Sequence, residues 1–144
     1  MEDISKFIGI PWGFNESSWE ACDCSGLARL FLREMGYGDY NFEKPTEKEW
    51  YLKEPFKAER YLLKNFTKDR HKENLKFADL ILCKVGGESH ILVYLGYGKV
   101  LSTWPTSAKQ WNGISLPNES MVLRRDMWEQ GFICGFRSKN ERVV

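Results

Sequence analysis

Apolar positions follow two different rhythms along the chain. Leu27, Leu30, Phe31 and Met35 are spaced three, one and four apart, which is one face of an α-helix. Asp23 stands ahead as a good N-cap and Gly36 behind as a natural stop. The pattern therefore predicts a helix from about Cys24 to Met35. From residue 78 the apolar residues run together instead. Ala78–Val85 is nearly all apolar and predicts a central strand. Ile91–Leu95 predicts a second, Gly96-Tyr97-Gly98 a tight hairpin turn, and Lys99–Trp104 the returning strand. Met121–Arg124 and Phe132–Arg137 predict two late strands.

The intervening segments carry weaker signals. Residues 1–10 read as a short helical lead-in and 11–20 as a loop. Thr46 with Glu49 three residues on predicts a helix start, and 47–66 read as mainly helical, interrupted near Pro55. Residues 67–76 read as a solvated charged link, Gly86–Ser89 as a turn, and 105–118 as a long loop. Helices come first and strands later, which implies an α+β fold with an antiparallel sheet of about five strands. A length of 144 residues suits a single domain, 1–144.

Composition narrows the function. Lys plus Arg number 21 and Asp plus Glu 20, a net charge of +1, which argues against a nucleic-acid binder working through a broad basic face. No apolar run reaches the roughly 18 residues of a membrane span. The acidic start Met1-Glu2-Asp3 lacks a signal-peptide pattern, so the expectation is a chain made in the cytoplasm. Four cysteines without a secretory signal read as reduced thiols. Cys22 reads as solvent-facing, and Cys83 and Cys134 as buried strand residues. Cys22-Asp23-Cys24 with His90 lacks the spacing of a zinc site, so neither metal nor cofactor is expected.

Cys24 is the first candidate for chemistry. It falls on the first turn of the predicted helix, where the dipole and free backbone N–H groups favour a thiolate. Ser25 and Gly26 are small and leave the thiol open. A nucleophile of this kind needs a base. His71, between Arg70 and Lys72, reads as a solvated surface residue, and Arg124-Arg125 as a solvated edge. His90, at the start of an apolar strand, is the better candidate.

These residues resemble a known family. Asp23-Cys24-Ser25-Gly26-Leu27, then an amphipathic helix and Met35-Gly36-Tyr37, looks like the nucleophile motif of the NlpC-type cell-wall cysteine peptidases. Ala78-Asp79-Leu80-Ile81-Leu82 resembles that family's Gly-Asp-Leu strand. Ser89-His90-Ile91-Leu92-Val93-Tyr94-Leu95-Gly96 resembles its Ser-His strand, which carries the base. Ile8-Gly9-Ile10-Pro11-Trp12, Trp128 and Gly135-Phe136-Arg137 look most like the branch found in phage tails. The resemblance implies a papain-like fold and hydrolysis of peptidoglycan stem peptides, at a D-glutamyl–diamino-acid bond. Cys24 would be the nucleophile and His90 the base. Trp12, Asp23, Ser25, Ser89 and Trp104 would contact substrate, and phage tail proteins would be partners.

Three positions depart from the family pattern. The third catalytic position, usually His, is Ser102. A three-residue turn at Gly96–Gly98 would place Ser102 opposite Leu92 on the face of His90; a two-residue turn would substitute Thr103. Trp12 stands where Tyr is common, and Leu92 where Gly is common. Trp104 and Trp111 could line a cleft or cover the sheet. Two further readings stay open: a weakly active or inactive papain-like module with a structural role, and an amidase or acyltransferase of the same superfamily.

Overall fold

The strands of the second half assemble into one antiparallel sheet. The computed structural model describes residues 3–41, 62–85, 88–104, 110–111, 114–115, 118–140 and 142. Its main sheet contains β1 (Phe66–Asp69), β2 (Leu80–Val85), β3 (Glu88–Gly96), β4 (Lys99–Ser102), β7 (Met121–Leu123) and β8 (Phe132–Ser138). Their spatial order is β1-β8-β2-β3-β4-β7, six strands where about five were expected. The extra strand is β1, made of the last residue of the stretch read as helical, Phe66, and the first three of the stretch read as a charged link. Only Phe66 of β1 is buried, so this edge strand has no alternating apolar signal to reveal it. A two-stranded hairpin, β5 (Gln110–Trp111) with β6 (Ile114–Ser115), lies in the stretch read as loop. The predicted helix over 47–66 lies outside the described residues except for a helical end at 62–65.

Two boundaries move for backbone reasons. The central strand begins at Leu80, not Ala78, because Ala78 adopts a φ of 72°. Asp79 then accepts from Lys76 N–H at 2.9 Å and from Arg137 Nε and Nη2 at 2.9 and 2.7 Å. That bidentate pair holds the start of β2 against the end of β8 and raises the Arg137 pKa. β3 starts earlier than expected, at Glu88, so His90 lies within the strand rather than at its mouth.

The β3–β4 turn settles the register. Tyr97 (φ 54°) and Gly98 (φ 78°) form a two-residue primed turn closed by the Gly96↔Lys99 pair. An irregularity between Tyr94 and Gly96 then restores Tyr94↔Val100 and Val93↔Leu101. Two turn residues plus one bulged residue give the register of a three-residue turn. Ser102 therefore falls opposite Leu92, on the His90 face, and Thr103 does not.

The sheet buries both faces. On one, Ile91, Val93, Leu101, Leu80 and Leu82 pack with helix α1 (Cys24–Glu34) through Leu27, Leu30 and Phe31, joined by Phe7 and Phe66. On the other, Ile81, Leu92, Tyr94, Val100 and Leu123 pack with Trp104 and with Trp128 of the short helix α2 (Arg125–Trp128). Alternation along β3 sends His90 to this second face. The lead-in shrinks to one 3-10 turn at Ser5–Phe7.

The start of α1 is clasped by the loop before it. Cys22 N–H bonds Pro11 O, Gly13 N–H bonds Cys22 O, and Asp23 N–H bonds Glu16 O, at 3.0, 3.1 and 3.2 Å. Ser17 Oγ donates to Gly26 O at 2.7 Å. The fit leaves no room at Gly26, where a Cβ would lie 1.8 Å from the Glu16 carbonyl oxygen.

Two stability effects should follow. Gly26→Ala must push the 13–18 loop off the helix and should cost about 3 kcal/mol in urea unfolding; an unchanged midpoint would mean that the loop is not seated there. Tyr97 is 94% exposed at a left-handed position, so Tyr97→Asn should stabilise by about 0.5–1 kcal/mol. Destabilisation in the same titration would contradict the turn assignment.

Candidate active site

The site starts from a helix cap. Asp23 is the N-cap of α1, and its Oδ1 accepts from Gly26 N–H at 2.8 Å. Ser25 Oγ reaches the same oxygen at 3.3 Å, and Asp23 Oδ2 accepts from Asn15 N–H at 2.8 Å. Both carboxylate oxygens are thus committed to holding the helix start and the loop, and Asp23 and Ser25 are buried. Cys24, the first residue of α1, is half-buried, whereas Cys22, Cys83 and Cys134 are buried. Cys22 departs from the solvent-facing expectation. Its backbone bridges Trp12 and Ser17, and its Sγ lies 3.1 Å from Ser18 O, which turns the thiol inward. Burial pushes the Cys83 thiol up to about 12.

Three hydrogen-bonded steps link the loop before this helix to the end of the sheet that holds His90 and Ser102. β3 and β4 are antiparallel, so the beginning of β3 and the end of β4 share one end. Ser102, the last residue of β4, pairs with Met121, the first of β7. Just ahead of β7, Gly9 N–H bonds Ser120 O, Ser120 N–H bonds Ile10 O, and Trp12 N–H bonds Asn118 O, at 2.9, 2.8 and 3.0 Å. Trp12, half-buried, then bridges Cys22, two residues before Cys24.

At that end of the sheet the structure gathers His90, Ser102 and Trp104. His90 is 5% exposed and its ring centroid lies 4.4 Å from that of Trp104. Trp104 Nε1–H donates to Ser102 Oγ at 3.2 Å, and Ser102 Oγ faces Met121 O at 3.5 Å. Trp104 is 1% exposed, so it packs under the site instead of lining an open groove. Nothing in the sequence separates a core Trp from a groove Trp here; the parity with His90 was the only usable signal. Thr103 is buried and its hydroxyl has no hydrogen-bond partner among the described residues. The backbone of Ser89 pairs with Lys84; the side chains of Ser89 and Trp111 lie outside the described residues. His71, Arg124 and Arg125 are exposed. Among the described residues no group of three His, Cys, Asp or Glu side chains could hold a metal ion, and no helix is long and apolar enough to cross a membrane.

The comparisons with known proteins converge on one family. A profile of the NlpC/P60 family matches residues 9–134, a stretch that includes Cys24, His90 and Ser102. Among solved structures, the NlpC/p60 domain of the peptidoglycan hydrolase SagA superposes with a TM-score of 0.60 at 16% identity, covering 92% of this chain and 90% of that one. A Staphylococcus aureus protein described as similar to a lipoprotein, of the NLP/P60 family, superposes with a TM-score of 0.52 at 16% identity. Here 94% of this chain is covered but only 39% of the other. No curated protein matches in sequence. The matches reach the family as a whole and do not single out its phage-tail branch. The helix-on-sheet architecture shared with those domains is the papain-like α+β fold, and the chain belongs to the NlpC/P60 family.

Proposed function

We propose that this domain is a cysteine peptidase that hydrolyses amide bonds in peptidoglycan stem peptides. The observation that carries this reading is the half-buried Cys24 on the capped first turn of α1, whose preceding loop is tethered to the end of the sheet where His90 sits. The family, and the likeness to a domain of a peptidoglycan hydrolase, support the substrate class. The bond proposed is the D-glutamyl–diamino-acid amide.

In this mechanism Cys24 is the nucleophile and His90 the base. His90 takes the Sγ proton, and the sulfur attacks the amide carbon. The positive end of α1 supports the charge on the sulfur, and the Cys24 N–H is aimed at the oxyanion. His90 then returns its proton to the leaving amine as the C–N bond breaks, leaving a thioester. Water, losing a proton to His90, attacks that thioester. The C–S bond breaks, the acid product leaves, and Cys24 recovers its proton. Asp23 and Ser25 serve this reaction by fixing the helix start; Trp12, which bridges Cys22, and Ser89, next to His90 in the chain, are the proposed substrate contacts. Ser102 occupies the third position.

The test uses a purified muropeptide with product release followed by chromatography. Cys24→Ala should abolish turnover, and His90→Ala should lower it by about 10³-fold, within the range of general acid–base contributions. In parallel, iodoacetamide on the native protein should label Cys24 alone, since the other three thiols are buried. Turnover that survives in Cys24→Ala, or labelling of Cys22 ahead of Cys24, would overturn the assignment.

A further inference from the structure

We propose that Trp104 is the positioning residue for His90, and that Ser102 acts on the imidazole only through the indole. The proposal rests on the reading of His90 as the base. A base that serves a thiol must hold its ring in one rotamer and present one nitrogen outward. A polar third residue bonded to the other nitrogen is one way to achieve this. Here the hydroxyl at that position is turned to other partners. Ser102 Oγ accepts the indole N–H at 3.2 Å and faces the Met121 carbonyl at 3.5 Å.

The imidazole instead meets a rigid wall. The two ring centroids are 4.4 Å apart with the planes inclined at 55°, and both side chains are at least nine-tenths buried. The indole is itself held on two sides. Its body belongs to the buried cluster that includes Ile81, Leu92, Val100 and Trp128, and its N–H is tied to Ser102. An indole fixed at both its carbon edge and its nitrogen cannot turn about its second side-chain torsion without losing a buried hydrogen bond. It therefore denies His90 the space for other rotamers. Ser102 is then a tether for Trp104.

The proposal makes a coupling prediction. Trp104→Phe keeps a ring but removes the tether, and should lower kcat on a muropeptide about fivefold with KM within twofold. Trp104→Leu removes the wall and should lower kcat about 50-fold, again with KM within twofold. Ser102→Ala should cost about fivefold in the wild-type background and nothing further in the Trp104→Phe background, because both remove the same tether. A second readout is the rate of Cys24 alkylation by iodoacetamide across pH, which needs no substrate. His90→Ala should displace that curve to more alkaline pH, and Trp104→Leu should displace it in the same direction. An equal Ser102→Ala loss in both backgrounds would mean that the hydroxyl acts on His90 directly, and would overturn the proposal. So would a rise in KM with kcat unchanged in the Trp104 variants, which would make Trp104 a substrate contact. If His90→Ala displaces the alkylation curve and Trp104→Leu does not, the positioning role fails while the Cys–His reading stands. If His90→Ala leaves the curve in place, the dyad itself fails and this proposal with it.

Discussion

The Asp23 carboxylate grips two stretches of backbone at once. One oxygen accepts from Gly26 N–H inside the helix, and the other accepts from Asn15 N–H in the preceding loop. Capping alone is worth about 1 kcal/mol, but here it also decides where the helix begins. Cys24 is placed on the first turn by the same contact that draws the loop over it, and Gly26 is required because the Glu16 carbonyl occupies the space of a Cβ. Through Trp12 and the 118–120 segment this assembly is tied to β7, and through Ser102↔Met121 to β4. Nucleophile placement and sheet geometry are thus one connected network.

The other half of the site depends on a single turn. Tyr97 and Gly98 close β3 onto β4, and the bulge beside them sets which residue shares a face with His90. A register one residue away would put Thr103 on that face and turn Ser102 to the α1 side. The turn is braced to protect this choice. Gly98 N–H bonds Tyr94 Oη at 3.0 Å, and Trp128 Nε1–H bonds Gly98 O at 2.8 Å. Trp128 thereby serves the site from below, by holding the hairpin that carries both His90 and Ser102.

Helix α1 was legible because its punctuation is local: Asp23 before it, Gly36 after it, and an apolar face between. The central strand and the β3–β4 hairpin were legible because apolar runs and a Gly-Tyr-Gly turn leave few alternatives. What stayed hidden depends on contacts distant in sequence. Most of β1 reads as a charged link because an edge strand with one buried residue, Phe66, needs its partner β8 to be recognised. Cys22 reads as exposed because only its bridges to Trp12 and Ser17 turn it inward. Ala78 reads as strand because nothing in its identity announces a left-handed backbone. At the site, the parity of Ser102 with His90 hung on a turn length left open between two and three residues, and the bulge between Tyr94 and Gly96 decided it. The place of Trp104 could not be read, since burial against the imidazole is decided by the whole second core.

The central claim is that Cys24 carries the acyl group during turnover, and the direct measurement is to catch it there. The protein is mixed with a purified muropeptide, quenched in acid within milliseconds to seconds, and digested for mass spectrometry. The expected result is a thioester adduct, with the mass of the acyl half of the substrate, on the peptide containing Cys24, and its loss on treatment with hydroxylamine. Product accumulating with no adduct on any cysteine, or an adduct on Cys22 in place of Cys24, would contradict it.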